Sequence, residues 1–552
     1  MKRLHVHGVM ATAALLALSL PVFGSRAHAA DTEPLPETHQ HFNSTEGVLT
    51  HDGDGSPDAS GLRQSGGFIC SATGSANADT TCEGISPSNE TSIAVDPGNP
   101  AHLLASANDY QIRRSPGGSI FETIYSRAHV SFDGGSTWSE YGIEYPNYTS
   151  TGDPAVAFDA DGRAYLATLG FSWSQNRFCC VNPDVLATTS GDGGRSWAKP
   201  TRVTSGTGVF AGPGIFNDKE EIAAWGHGNA IVTWTVFNQG QHGAYLSSPI
   251  FDSVTHDGGQ TWSAPVMISG SAPFCVGAQG GTDCNQSTGS VPVIAADGSI
   301  FVSFINTADD TTGRDQYIVV RVDPATGQPI AGPFRVGGVV DGFTDYPINE
   351  DGRQTLQDSE FRTWAFGPLA ADPTTPGHLA MVWSDMRNST LPAPADPYTA
   401  RTNSDVIVAQ SFDGGQTWSA PSALSAPGDQ FQPWAAYDST GHLRIGYFDR
   451  SYDPANHRYG YTLATETSAG SLHFTTQELS TALSDPTKND RWFSRRTPNS
   501  AFPNPSSFIG DYSGLAASPA GGVVGLWTDM RFSVCLDPRC GFGEGAFFAG
   551  AP

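Results

Sequence analysis

Ser411-Phe-Asp-Gly-Gly-Gln-Thr-Trp418 is one of four near-copies of a single phrase, and the reading of that phrase decides the fold. The others are Ser131-Phe-Asp-Gly-Gly-Ser-Thr-Trp138, Ser190-Gly-Asp-Gly-Gly-Arg-Ser-Trp197 and Thr255-His-Asp-Gly-Gly-Gln-Thr-Trp262. Paired glycines reach positive φ without steric cost, and the Asp carboxylate accepts the turn's own N–H groups. The flanking hydroxyls add local bonds to the backbone, and the Trp supplies a large apolar plug for a neighbouring layer. Spaced about 60 residues apart and then by a longer gap, the copies mark internal repetition with one unit lacking the phrase.

Between the copies runs a weaker repeat, an apolar strand ending near Asp, a short turn, and a second apolar strand. It occurs at Thr91–Asn108, Pro154–Gly170, Glu221–Asn238, Val291–Asn306, Gly367–Asp385, Pro433–Asp449 and Gly514–Asp529. These are seven units. The sixth ends in a decayed copy, Thr467-Ser-Ala-Gly-Ser-Leu-His-Phe474, and the fourth has none. The seventh has room for about three strands before the chain ends, so a strand from the N-terminal region is expected to complete it and remove the exposed sheet edges.

The eight-residue phrase resembles the Asp-box of sialidases and related Asp-box (BNR) repeat proteins. The resemblance covers roughly residues 88–550. It implies an all-β propeller of four-stranded antiparallel blades with the boxes on the face away from the ligand; the count of units favours seven blades, one more than sialidases have, with six the alternative. Few charged residues and 63 glycines suit short strands and many turns, and no long segment has helical apolar periodicity.

Lys2 and Arg3, an apolar stretch from Val9 to Phe23, and Ala27-His28-Ala29 read as a secretory signal over residues 1–29. Residues 30–84 read as an irregular lead-in and 85–552 as the propeller. Losing three basic residues with the signal takes the net charge from −26 to −29, an acidic surface that argues against nucleic acid. No other stretch is apolar enough to span a membrane. The expectation is a secreted, extracellular or periplasmic monomer that needs no cofactor. Asp52, Asp54 and Asp58 alternate like the oxygen ligands of a structural calcium, or form a solvated loop. Eight cysteines point to disulfides: Cys70 with Cys82, Cys275 with Cys284 and Cys535 with Cys540 are local candidates, whereas adjacent Cys179 and Cys180 form a vicinal bridge or take separate partners.

Propeller ligands sit at one mouth of the axial channel. Trp383-Ser-Asp-Met-Arg387, Tyr447-Phe-Asp-Arg450 and Trp527-Thr-Asp-Met-Arg531 lie at equivalent mouth positions. Arg387, Arg450 and Arg531 either converge on a substrate carboxylate, as the sialidase arginine triad does, or each pairs with an Asp to lock a loop. The entry loops carry Asn89-Glu90, Gly152-Asp153, Asn217-Asp-Lys-Glu-Glu221 and Gly510-Asp-Tyr512. The resemblance implies Tyr512 as nucleophile, Glu220 or Glu221 as its base, Asp153 or Asp109 as acid, and Asp511 beside the substrate. The sialidase Arg-Ile-Pro phrase is absent, Tyr110-Gln-Ile-Arg-Arg114 being its nearest substitute. The leading expectation is an exo-acting glycoside hydrolase cleaving terminal sialic acid or a related acidic sugar from a glycan partner. A uronate lyase and a non-catalytic glycan- or protein-binding propeller are the alternatives.

Overall fold

The computed structural model describes residues 47–48, 68–71, 77–81, 87–114, 120–172, 181–208, 213–350, 352–390, 396–490, 493–494, 501–502, 504–536 and 539–552. They form seven antiparallel sheets, one per repeat unit, with a single short 3-10 turn at Gln241–Gly243. The signal-like residues, Asp52, Asp54, Asp58, Cys82, Cys179 and Cys180 lie outside the described residues.

Blade 1 contains Ser88–Asp96, Asn99–Arg114, Ala128–Ser131 and Thr137–Tyr141. Blade 2 contains Ser150–Phe158, Ala164–Ser172, Val181–Ser190 and Thr201–Thr204. Blade 3 contains Gly214–Trp225, Asn229–Gln239, Ile250–Thr255 and Val266–Met267, and blade 4 Ser287–Ile294, Ile300–Asp309, Arg314–Val322 and Pro329–Gly338. Blade 5 contains Leu369–Ala371, Leu379–Asp385, Asp405–Ser411 and Ser422–Leu424, and blade 6 Gln430–Tyr437, Leu443–Asp449, Gly460–Glu466 and Phe474–Glu478. Blade 7 takes Gly514–Ala517, Val523–Leu536 and Arg539–Ala551 from the C-terminus and Ala78–Asp79 from the N-terminal region. Thr80 N donates to Ala546 O at 2.9 Å, so the two ends of the chain close the ring with backbone hydrogen bonds. Phe68–Ser71 adds a further strand to the edge of blade 1.

Each box joins the third strand of its blade to the fourth. In all four, one Asp oxygen accepts the N–H four residues on and the other accepts that residue's hydroxyl, as in Asp413 with Thr417 at 2.9 and 2.6 Å. Both glycines of each box have positive φ. The second glycine also faces the preceding blade: Gly135 meets Phe548, Gly194 Val130, Gly259 Thr189 and Gly415 Val319. The box therefore folds its own hairpin and leaves a gap that the neighbouring blade fills.

The apolar core lies in the seams between blades. Trp234, Trp383 and Trp527, one on each second strand of blades 3, 5 and 7, are fully buried there. Cys275 and Cys284 form a disulfide, and the backbones of Cys535 and Cys540 are paired across blade 7.

Candidate functional site: the axial mouth

The first strand of a propeller blade lines the channel, and here that strand is interrupted at a recurrent place. Its pairing with the second strand skips between Asn89 and Ser92, Gly152 and Ala155, Asp218 and Glu221, Thr288 and Val291, and Phe431 and Trp434. At each skip one residue adopts the left-handed conformation: Glu90, Asp153, Lys219, Gly289 and Gln432, with φ from 47° to 62°. Such bulges re-aim a side chain, and holding a non-glycine residue there costs about 1 kcal/mol.

Three of these residues meet at the axis. Lys219 Nζ donates to Glu90 Oε1 at 3.3 Å and to Asp153 Oδ2 at 3.1 Å, and lies 2.8 Å from Asp511 Oδ2. Arg362, from the segment linking blades 4 and 5, clasps Asp511 through Nε and Nη2 at 2.7 and 2.6 Å. Asn108 donates to Glu90 Oε2 at 2.6 Å and accepts the Asp153 N–H at 2.8 Å. Side chains from blades 1 and 2 and from the entry loop of blade 7 thus surround one ammonium supplied by blade 3.

The electrostatics sort these groups. Burial raises Asp153 and Asp511, but Lys219 and the Glu90 hydrogen bond outweigh it at Asp153, and Arg362 and Lys219 at Asp511, so both carboxyls sit below their usual range. Burial and the Asp153 charge hold Glu90 and Glu220 well above it. Burial lifts Asp218 to about 7, and burial with the Asp153 charge lifts Glu221 to about 8. Burial lowers Lys219, yet Asp153, Asp511 and Glu90 together raise it well above the ordinary ammonium value. Near neutrality Asp153 and Asp511 are therefore ionised beside the two cations, Asp218 is about half ionised, and Glu90, Glu220 and Glu221 hold protons. Asp153, Asp218, Lys219, Glu221 and Arg362 are half-buried and reach the mouth, whereas Glu90, Glu220 and Asp511 are fully covered.

Of the residues expected from sequence, Asp153, Glu220, Glu221, Asp511 and Tyr512 come together here. Tyr512 packs edge-on to Phe366 at 6.0 Å and lies under Lys219, whose Nζ is 5.6 Å from the ring centroid. Burial and then the surrounding carboxyls raise its phenol well above 10. Among the described residues, neither oxygen of Glu220 has a side-chain hydrogen-bond partner. Asp109 stands apart, bound to His129 Nε2 at 2.9 Å and Ser88 Oγ at 2.9 Å.

The three arginines do not form a common clamp. Arg387 is bound to Asp385 and Arg531 to Asp529, each at 2.6 Å, and each Asp also accepts the indole N–H of the Trp two residues earlier. Arg450 is fully buried against Asp429, Gln357 O and Ser359. All three reach back to a preceding segment: Arg387 to Gly338 O, Arg450 to the 357–359 stretch and Arg531 to Thr481. The recurrent phrase locks each loop onto the segment before it: Arg387 and Arg531 are held by the Asp of their own phrase, and Arg450 by Asp429.

Lys219 and Arg362 are the cations that sequence reading passed over. Lys219 stands in a quoted entry loop among three acids, which was a legible signal. Arg362 lies in an irregular segment with no repeat to mark it.

No protein-family model and no curated protein matches the chain. Solved structures do. A Hadza microbial sialidase aligns with 11% identity over 82% of this chain and 74% of its own, at TM-score 0.42. A Dyadobacter fermentans protein of unknown function aligns with 12% identity over 89% and 100%, at 0.39. A sialidase of Streptococcus pneumoniae aligns with 8% identity over 81% and 83%, at 0.41. These likenesses carry no residue-level assignment.

Proposed function

We propose that the axial mouth is the active site of a glycoside hydrolase acting on a terminal acidic sugar, of the sialic acid type, on secreted or surface glycans. The observation that carries this reading is the separation of neighbouring carboxyls into an ionised one, Asp153, and a protonated one, Glu221, at a half-open mouth. Groups pushed apart in this way divide acid from base. Their states exchange the roles expected from the resemblance: Glu221 donates to the leaving-group oxygen as Tyr512 attacks the anomeric carbon and passes its proton to Asp153; water then displaces Tyr512, giving a proton to Glu221 while Asp153 returns one to the phenol. Arg362 commits Nε and Nη2 to Asp511 and presents its third nitrogen to the sugar carboxylate. The Cys275–Cys284 disulfide agrees with an oxidising, extracellular setting.

The test is turnover of fluorogenic sialosides beside neutral glycosides. Glu221→Gln, Asp153→Asn and Tyr512→Phe are each expected to lose roughly 100-fold or more in kcat/KM while remaining folded. Activity should also fall above about pH 8 as Glu221 ionises. Full activity in all three variants overturns the assignment.

A second reading, a glycan-binding propeller without catalysis, is favoured by one observation: every arginine expected to bind substrate is already paired within the protein. Glycan capture without turnover of any substrate would establish it.

A further inference from the structure

A second cleft opens away from the axis, where the entry loop of blade 2 passes the outer edge of that blade. It measures about 270 Å³, just below the usual range of ligand pockets and enough for a single ring. Tyr145, Pro146, Asn147 and Tyr148 form one wall, Lys199, Pro200 and Arg202 the other, and buried Leu186 the floor. Asn147 turns the loop at φ 77°, and Tyr148 lies over Gly170, where a Cβ would meet its ring at 2.9 Å. The Tyr148 hydroxyl donates to Asp184 Oδ2 at 2.7 Å, and Gly206 N donates to Asp184 Oδ1 at 2.8 Å. These bonds fix the aromatic wall and occupy both oxygens of the nearby carboxylate. Arg202 stands 3.5 Å from Asp184 and is largely exposed, and Lys199 has no ion pair among the described residues. In a chain of net charge −26, the cleft is locally cationic.

We infer that this cleft is a separate binding site for an acidic sugar residue. The ring lies against Tyr148 and the two prolines, and a carboxylate or sulfate meets Lys199 and Arg202. Aromatic faces with a few placed polar groups hold a ring in orientation, and Lys199, without an ion pair among the described residues, selects its charge together with the exposed Arg202, whose pair to Asp184 is long. The Tyr145–Tyr148 loop leads directly into the strand that carries Asp153. Binding here does not depend on catalysis at the axis.

Calorimetry with the full chain and three probes tests it: oligogalacturonate for carboxylate, dextran sulfate for sulfate, and neutral dextran. At least one acidic probe is expected to bind and neutral dextran not to. Which acidic probe binds identifies the anion. The double variant Lys199→Ala/Arg202→Ala and the single variant Tyr148→Leu should each weaken binding at least tenfold. Asp153→Asn should bind as the parent does, and the double variant should turn over any simple monosaccharide substrate at the parent rate. Unchanged affinity in the double variant, equal binding of neutral dextran, or no binding of either acidic probe overturns the cleft. Absence of turnover in the parent bears on the axial reading alone.

Discussion

Lys219 shows how one residue's setting is built from several blades. Its ammonium is held against Glu90, Asp153 and Asp511 inside the channel, and no two of those three acids lie within 60 residues of each other in the chain. Replacing Lys219 with Met would leave Asp153 and Asp511 short of a cation, and breaking a buried pair from one side costs about 3–5 kcal/mol. Urea unfolding should show that loss, and adding Asp153→Asn to Lys219→Met should recover part of it, because Asp511 keeps Arg362. The same groups set a pH dependence. The raised Asp218 and Glu221, with Asp252 buried in blade 3 and lifted to about 8, favour protons in the folded state. That contribution is complete below the ordinary carboxyl value of about 4 and is lost as the pH climbs through 7 to 8. Asp153 and Asp511 act in the opposite sense, their contribution being lost as the pH falls below about 4. Thermal unfolding should therefore show greater stability at about pH 5 than at about pH 8.5.

The box is the element whose structure was readable from its letters, since its hydrogen bonds run within eight residues. The part that was not readable is the role of its second glycine. Gly134 and Gly135 both have positive φ, at 74° and 89°, so alanine strains the backbone at either. A Cβ on Gly134 would meet nothing within 4 Å among the described residues, whereas a Cβ on Gly135 would run into Phe548 of blade 7. Gly135→Ala should therefore cost about 1–3 kcal/mol more than Gly134→Ala by denaturant midpoint, and equal costs would remove the seam role. The Trp-x-Asp-x-Arg phrase teaches the converse. Its recurrence was visible, but the direction of a guanidinium is settled by the nearest anion, and that anion is two residues away in the same phrase.

At the scale of the whole molecule, closure depends on five described residues near one end of the chain. Ala78–Asp79 pairs with the last strand, and Asn77 accepts from Arg531 at 2.9 Å and from the Thr481 hydroxyl at 2.8 Å, tying blade 7 to the segment after blade 6. Removing residues 1–81 should open the ring at this seam, lowering the melting temperature and exposing blade 7 to limited proteolysis. A chain unchanged by both measures would mean that the seam contributes little. The sequence alone was enough for the seven-fold repeat, the turn chemistry of each box and the need for an N-terminal strand. Each of these rests on contacts local to a repeat or on the count of strands. Only the tertiary structure decided which acids hold protons, that Lys219 and Arg362 are the axial cations, and that the three recurrent arginines serve as clasps. Those outcomes depend on distances between blades that are remote in sequence, and on how much water each group loses when the ring closes around it.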